Sequence, residues 1–140
     1  MDVNSTINYC KSLSFYDLQD FAGRNYQKVY NWFDGIDRKS GMTPNQLLIS
    51  TIFVCIAVDD RMTEDEWMFV VSFIGGYSYE EARATAASLR TKESQEIVKK
   101  FYDAFPYDIS EAYLNLCIAI LCVDQDFDAY ERTFLRTLIS

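Results

Sequence analysis

Signals for the start of a helix recur along this chain, and they constrain its fold more than any other sequence feature. In a capping box, a Ser or Thr before the helix and a Glu or Gln three residues later each satisfy a free backbone amide of the other residue. Such boxes begin at Thr43, Thr63 and Ser78. Only 5 Gly and 2 Pro occur in 140 residues, and no Val/Ile/Thr run alternates strictly with polar residues. The pattern predicts an all-α protein.

Capping signals and hydrophobic spacing together predict a compact bundle of about seven to eight helices. The predicted helices cover residues 14–17, 25–33, 44–58, 63–75, 78–90, 93–104, 108 or 110 to 123, and 128–140. We expect a single domain over 1–140. Its parts are aromatic amino-terminal helices (1–40), a first helical hairpin (43–75), connecting helices (78–104) and a second hairpin (108–140).

The two predicted hairpins resemble each other in sequence. A shift of 65 residues aligns residues 49–74 with 114–139 and gives 5 identities in 26 pairs. The identical pairs are Val58 with Val123, Asp59 with Asp124, Glu66 with Glu131, Phe69 with Phe134 and Ile74 with Ile139. Each copy reads as an apolar helix, an acidic turn and an amphipathic helix with an acidic start. This pattern predicts an internal pseudo-twofold repeat of helical hairpins.

Composition excludes several classes of function. The chain has 13 basic and 21 acidic residues and a net charge of -8, without a local basic patch, which argues against nucleic acid as a partner. Histidine is absent, so the commonest general base and the usual nucleophile activator are missing. No glycine-rich phosphate loop and no GxSxG elbow is present either. We therefore expect a protein that is not an enzyme.

Cysteine usage and apolar run lengths indicate a cytoplasmic protein. Three of the four cysteines (Cys55, Cys117 and Cys122, but not Cys10) lie in apolar runs, where a free thiol behaves as a small buried hydrophobe. The sequence contains no CxxC pair, so it gives no indication of a zinc site or a thioredoxin-type redox site. The amino terminus lacks the features of a secretory signal, and the longest apolar stretches are well short of the ~20 residues that span a bilayer. We expect no direct membrane insertion.

The acidic turns have two physical interpretations. Each hairpin ends its first helix on an aspartate, Asp59 (followed by Asp60) or Asp124. A carboxylate at the negative end of a helix costs about 0.3–1 kcal/mol unless something compensates. In one interpretation the aspartates brace the next helix, whose cap Glu66 or Glu131 completes. In the other, the carboxylates converge on a cation.

Only oxygen ligands are available at these turns, so a bound cation would be Ca²⁺ or Mg²⁺. Asp124, Asp126 and Asp128 occupy the first, third and fifth places of an EF-hand loop. An EF-hand also needs Gly at the sixth place and Glu at the twelfth, where this chain has Ala129 and Leu135. An ordinary EF-hand is therefore excluded, and a nonstandard oxygen site stays open.

The two turn segments, IAVDDRMTEDE and LCVDQDFDAYE, resemble the TerB tellurite-resistance family. They are also similar to the amino-terminal domain of DjlA-type membrane co-chaperones. The resemblance covers roughly residue 43 to the carboxyl terminus. It implies a pseudo-twofold bundle of about seven helices, divalent-cation binding at the acidic turns, and a role in stress response at the inner side of the membrane. The implied metal ligands are Asp59, Asp60, Glu66, Asp124, Asp126, Asp128 and Glu131.

The sequence departs from the family pattern at both turns. The family usually has Asp-Gly, whereas this chain has Asp59-Asp60 and Asp124-Gln125. Arg61 stands where the second copy has Asp126, and its charge opposes a cation. We therefore expect the second turn to be the better metal site.

An aromatic segment at residues 25–33 offers a different kind of site. The candidate partner-binding residues there are Tyr26, Tyr30, Trp32 and Phe33. Helical spacing favours packing of Tyr26, Tyr30 and Phe33 on the bundle, and the alternative is an exposed stripe that docks a protein partner. The leading hypothesis is a TerB-like protein that acts by protein–protein contact in a stress-response or membrane-associated complex. The alternatives are a metal-free interaction or scaffold module and an acidic mimic of nucleic acid.

Overall fold

The computed structural model describes residues 2–36, 41–58, 62–123 and 129–140, and within these ranges it contains eight α-helices and no strand. The all-α prediction is confirmed. The helices are, in chain order, α1 (Val3–Ser12), α2 (Phe15–Asp34), α3 (Pro44–Ala57), α4 (Glu64–Ile74), α5 (Tyr79–Ser88), α6 (Lys92–Ala104), α7 (Tyr107–Leu121) and α8 (Ala129–Ile139).

The capping boxes begin α3, α4 and α5 as predicted. At Thr43, Thr63 and Ser78 the hydroxyl accepts a hydrogen bond from the amide of the third helical residue. The side chain of that residue accepts one from the amide of the capping residue in return. Helix α4 ends at Gly75, whose φ of 47° favours glycine. Local hydrogen bonds therefore determine where these helices start.

Three features of the helix boundaries differ from prediction. The separate helices predicted over 14–17 and 25–33 are one helix of 20 residues, α2. Helix α7 begins directly after Pro106, and Ser110 does not cap it, because Ser110 lies within the helix and its hydroxyl donates to the carbonyl of Tyr107. The sequence also did not predict α1, which Asp2 caps by accepting a 2.7 Å hydrogen bond from the Ser5 amide.

Helices α3 and α7 form the centre of the bundle. Helix α7 packs against α1, α2, α3 and α6, while α3 also contacts α4 and α5. Both helices are apolar around most of their circumference, which is typical of buried helices. One polar contact joins them, a 2.6 Å hydrogen bond between the hydroxyls of Thr51 and Tyr113. Among the described residues, no helix is both long and apolar enough to cross a membrane.

Candidate cation site

Most of the predicted metal ligands lie outside the residues that the structure describes. Five of the seven candidate carboxylates lie outside the described residues: Asp59, Asp60, Asp124, Asp126 and Asp128. Within the described ranges, no group of three or more metal-ligating side chains occurs. The structure therefore bears on the candidate site through Glu66, Glu131 and the segments that border each turn.

Glu66 is the third residue of α4 and takes part in its cap. Its side chain is buried, with 6% of the residue exposed. The Oε1 atom accepts a 3.0 Å hydrogen bond from the Thr63 amide and a 3.2 Å bond from the Thr63 hydroxyl. The Glu66 amide donates to the Thr63 hydroxyl in return. This carboxylate oxygen is thus used to hold the chain immediately after the first acidic turn.

Glu131 is the third residue of α8 and lies in the interior, with 3% of the residue exposed. Its charge acts on two buried thiols. The pKa of Cys55 is raised by a hydrogen bond with Cys117 and by burial, and Glu131 adds to the shift. The pKa of Cys122 is raised by a hydrogen bond with Cys10 and by burial, again with a contribution from Glu131. The Glu131 carboxylate therefore lies close enough to both thiols to disfavour their charged forms.

The segments that border the two acidic turns face one cavity. This cavity has a volume of about 330 Å³. Thr63 and Asp65, which follow the first turn, line it together with Cys122 and Val123, which precede the second. The remaining lining residues come from α1, from α2 and from the link between them: Cys10, Leu13, Phe15 and Leu18. The fold thus brings the flanks of both turns to a common space.

Positive charge lies beside the first turn. Arg83 and Arg90 line a second cavity of about 150 Å³, together with Ala57 and Met62, which flank residues 59–61. The Tyr79 hydroxyl fixes this region by donating a 2.7 Å hydrogen bond to the Met62 carbonyl. Two guanidinium groups thus lie near the described residues that border the first turn.

The aromatic candidates on α2 mainly contact other helices. Phe33 is buried, whereas Tyr26, Tyr30 and Trp32 are half-buried. The Tyr26 ring stacks on Phe73 of α4 at a centroid distance of 5.9 Å. The Trp32 ring meets the edge of Phe105 at 5.3 Å. These contacts attach α2 to α4 and to the end of α6.

Sequence reasoning missed two groupings at the site. Arg83 lies in α5 and Arg90 just after its end, and nothing in the local sequence connects these two residues with the flanks of the first turn. Cys10 and Cys122 lie in distant segments and meet at the same cavity. No motif in the sequence predicts that these two cysteines lie close together.

No protein-family model, no curated protein and no solved structure matches this chain. The resemblance to the TerB family therefore rests on the residues of the two acidic-turn segments.

Proposed function

We propose that this chain is a TerB-like, non-enzymatic protein that acts by protein–protein contact in a stress-response or membrane-associated complex, and that Ca²⁺ or Mg²⁺ at its acidic turns modulates this contact. One observation carries the cation part of the proposal: the flanks of both turns line a single cavity. Asp65 lines this cavity, and the proposal places the aspartates of the two turns near it, where a divalent cation with oxygen ligands would relieve their mutual repulsion.

The buried glutamates support a pseudo-twofold arrangement of two hairpins. Glu66 and Glu131 align in the sequence repeat, occupy the third position of α4 and α8, and are both buried. Buried carboxylates at equivalent positions after two acidic turns favour a repeated structural unit over chance similarity. In this proposal the second turn supplies most of the ligands, because the first turn has Arg61 where the second has Asp126, and because Arg83 lines a cavity together with Ala57 and Met62, which border the first turn.

A metal-free helical interaction module is the second candidate. It is favoured by the two hydrogen bonds that Glu66 Oε1 accepts from Thr63, because a capping carboxylate needs no cation. The two candidates differ in what the aspartates of the turns do. They bind a cation in the first candidate and only stabilise helix ends in the second.

The experiment is thermal unfolding of the metal-stripped full chain with and without Ca²⁺ or Mg²⁺. A cation that binds only the folded state stabilises it by about 2.7 kcal/mol at 100 times its Kd. We expect a rise in Tm that is lost in Asp124→Asn and retained in Glu80→Gln, which removes an exposed carboxylate from α5. An equal Tm with and without cation in the unmodified chain supports the metal-free module instead.

The protein-contact part is tested separately by affinity capture from a lysate. The proposal expects a protein that is retained in Ca²⁺, released by a chelator and not retained by Asp124→Asn. Capture that is indifferent to the chelator and to the variant supports the metal-free module.

A further inference from the structure

We propose that Cys10 and Cys122 form an oxidative modification site, in which hydrogen peroxide converts the two thiols into a disulfide between α1 and the end of α7. This inference is independent of cation binding at the turns.

The fold places the two cysteines at one cavity although they are far apart in sequence. Cys10 lies in the last turn of α1, and Cys122 is the residue that ends α7. The two helices pack against each other. Both residues line the cavity of about 330 Å³ described above, which Thr63 and Asp65 also border. A water-sized oxidant needs roughly 30 Å³, so this space admits it.

The thiols are also in contact with each other. The side-chain interaction between them lowers the pKa of Cys10 and raises the pKa of Cys122. A thiolate is the reactive form of cysteine, so the contact favours Cys10 as the attacking sulfur. Disulfide formation requires two sulfurs that approach closely, and this pair meets that requirement in the folded chain.

A second pair of cysteines provides a contrast within the same molecule. Cys55 and Cys117 also interact, but they lie in the middle of α3 and α7, the two central helices. Exposure does not separate the two pairs, because all four cysteines are buried, with 2% or less of each residue exposed. They differ in their surroundings: Cys10 and Cys122 line the cavity of about 330 Å³, whereas Cys55 and Cys117 do not line it. The pKa of Cys10 is lowered by its interaction with Cys122, whereas the pKa of Cys55 is raised by its hydrogen bond with Cys117 and by burial, so the thiolate forms more readily at Cys10. We therefore expect oxidation to be selective for the Cys10–Cys122 pair.

The reaction balances in two steps. The Cys10 thiolate attacks one oxygen of hydrogen peroxide, the O–O bond breaks, and the departing hydroxide takes a proton to form water. Cys10 is then a sulfenic acid. The sulfur of Cys122, after losing its proton, attacks Cys10 Sγ. The S–S bond forms, the S–O bond breaks, and the hydroxide leaves as a second water. Two thiols are oxidised and one peroxide is reduced.

The consequence is a covalent link next to the second acidic turn. Only Val123 separates Cys122 from residues 124–128, so the disulfide links α1 to the chain just before this turn. The link closes a loop of about 110 residues, and long loops restrict the unfolded state most. Oxidation is therefore expected to raise the Tm.

The test is peptide mapping of the full chain after mild peroxide treatment, blocking of free thiols in denaturant and trypsin digestion. Trypsin releases Cys10 in peptide 1–11, whereas Cys117 and Cys122 share peptide 101–132. We expect these two peptides to be linked, the link to be reduced by dithiothreitol, and free thiols to fall from four to two per chain. The link should persist in Cys117→Ala and disappear in Cys122→Ala.

The mapping of the unmodified chain keeps the test valid if a variant fails to fold. The proposal is overturned by either of two results in that chain. One is a link between the Cys55 peptide and peptide 101–132 in place of the expected one. The other is a link between peptides 1–11 and 101–132 that forms in urea but not in the folded protein.

Discussion

The buried hydroxyl pair between α3 and α7 yields a quantitative prediction. The Thr51 hydroxyl donates a 2.8 Å hydrogen bond to the Leu47 carbonyl. Because its only proton is used there, the Tyr113 hydroxyl must be the donor in the 2.6 Å bond between the two side chains. Tyr113 is completely buried. Removing its acceptor therefore leaves an unsatisfied hydroxyl in the core.

The two single substitutions should consequently differ in cost. Thr51→Val leaves the buried Tyr113 hydroxyl without an acceptor, which lowers the free energy of unfolding by about 1–3 kcal/mol. Tyr113→Phe leaves Thr51 bonded to Leu47 and keeps the ring contact with Phe105, so it should cost only about 0.5–1.5 kcal/mol. The double variant should lose less stability than the sum of the two single variants, because it leaves no buried hydroxyl without a partner at these positions.

Urea denaturation of the four proteins measures this cycle. A coupling of about 1 kcal/mol between the two positions agrees with the structure. Strict additivity, or a Tyr113→Phe variant that is clearly less stable than Thr51→Val, refutes the assigned direction of the hydrogen bond.

Two further predictions concern backbone strain and pH. Gly23→Ala should stabilise the chain by about 0.5–1 kcal/mol in thermal unfolding, because Gly23 lies inside α2 and a Cβ there would meet Phe73 at an ordinary 3.5 Å. Gly75→Ala should destabilise it by about 1–3 kcal/mol, because φ is 47° and ψ is 173° at that position; the reverse order of the two variants contradicts this account. In the folded state, burial raises the pKa of Tyr113 well above its usual 10.0. The hydrogen bond with Cys117, together with burial, raises the pKa of Cys55 well above its usual 9.0. The stability that these groups contribute is therefore complete below about pH 9 and is lost as the pH rises further. Urea midpoints from pH 8 to 11 should fall, and less steeply above pH 10 in Tyr113→Phe; midpoints that stay level contradict the raised values.

Helix starts were predictable from sequence because their causes are local. The boxes at Thr43, Thr63 and Ser78 each involve residues three positions apart, so the sequence displays both partners. The continuity of α2 was not predictable in the same way. Gly23 normally weakens a helix, and α2 continues through it in a segment that packs on distant parts of the chain, where Ala22 is buried and Tyr26 stacks on Phe73 of α4.

The candidate site was predictable in its residue types and not in its surroundings. The sequence identified Glu66 and Glu131 as aligned positions, and the structure adds that both are buried. The convergence of Asp65 and Cys122 on one cavity depends on how the helices pack, which no spacing in the sequence reveals. The same holds for Arg83, which reaches the flank of the first turn from α5.

Calorimetric titration of Ca²⁺, and then Mg²⁺, into the metal-stripped full chain tests the central claim most directly. We predict saturable binding of about one cation per chain, because the flanks of both turns share one cavity. Asp124→Asn should abolish the binding and Asp59→Asn should weaken it. Flat heats for the unmodified chain, with both variants altering only thermal stability, contradict the claim and identify these carboxylates as helix-capping groups.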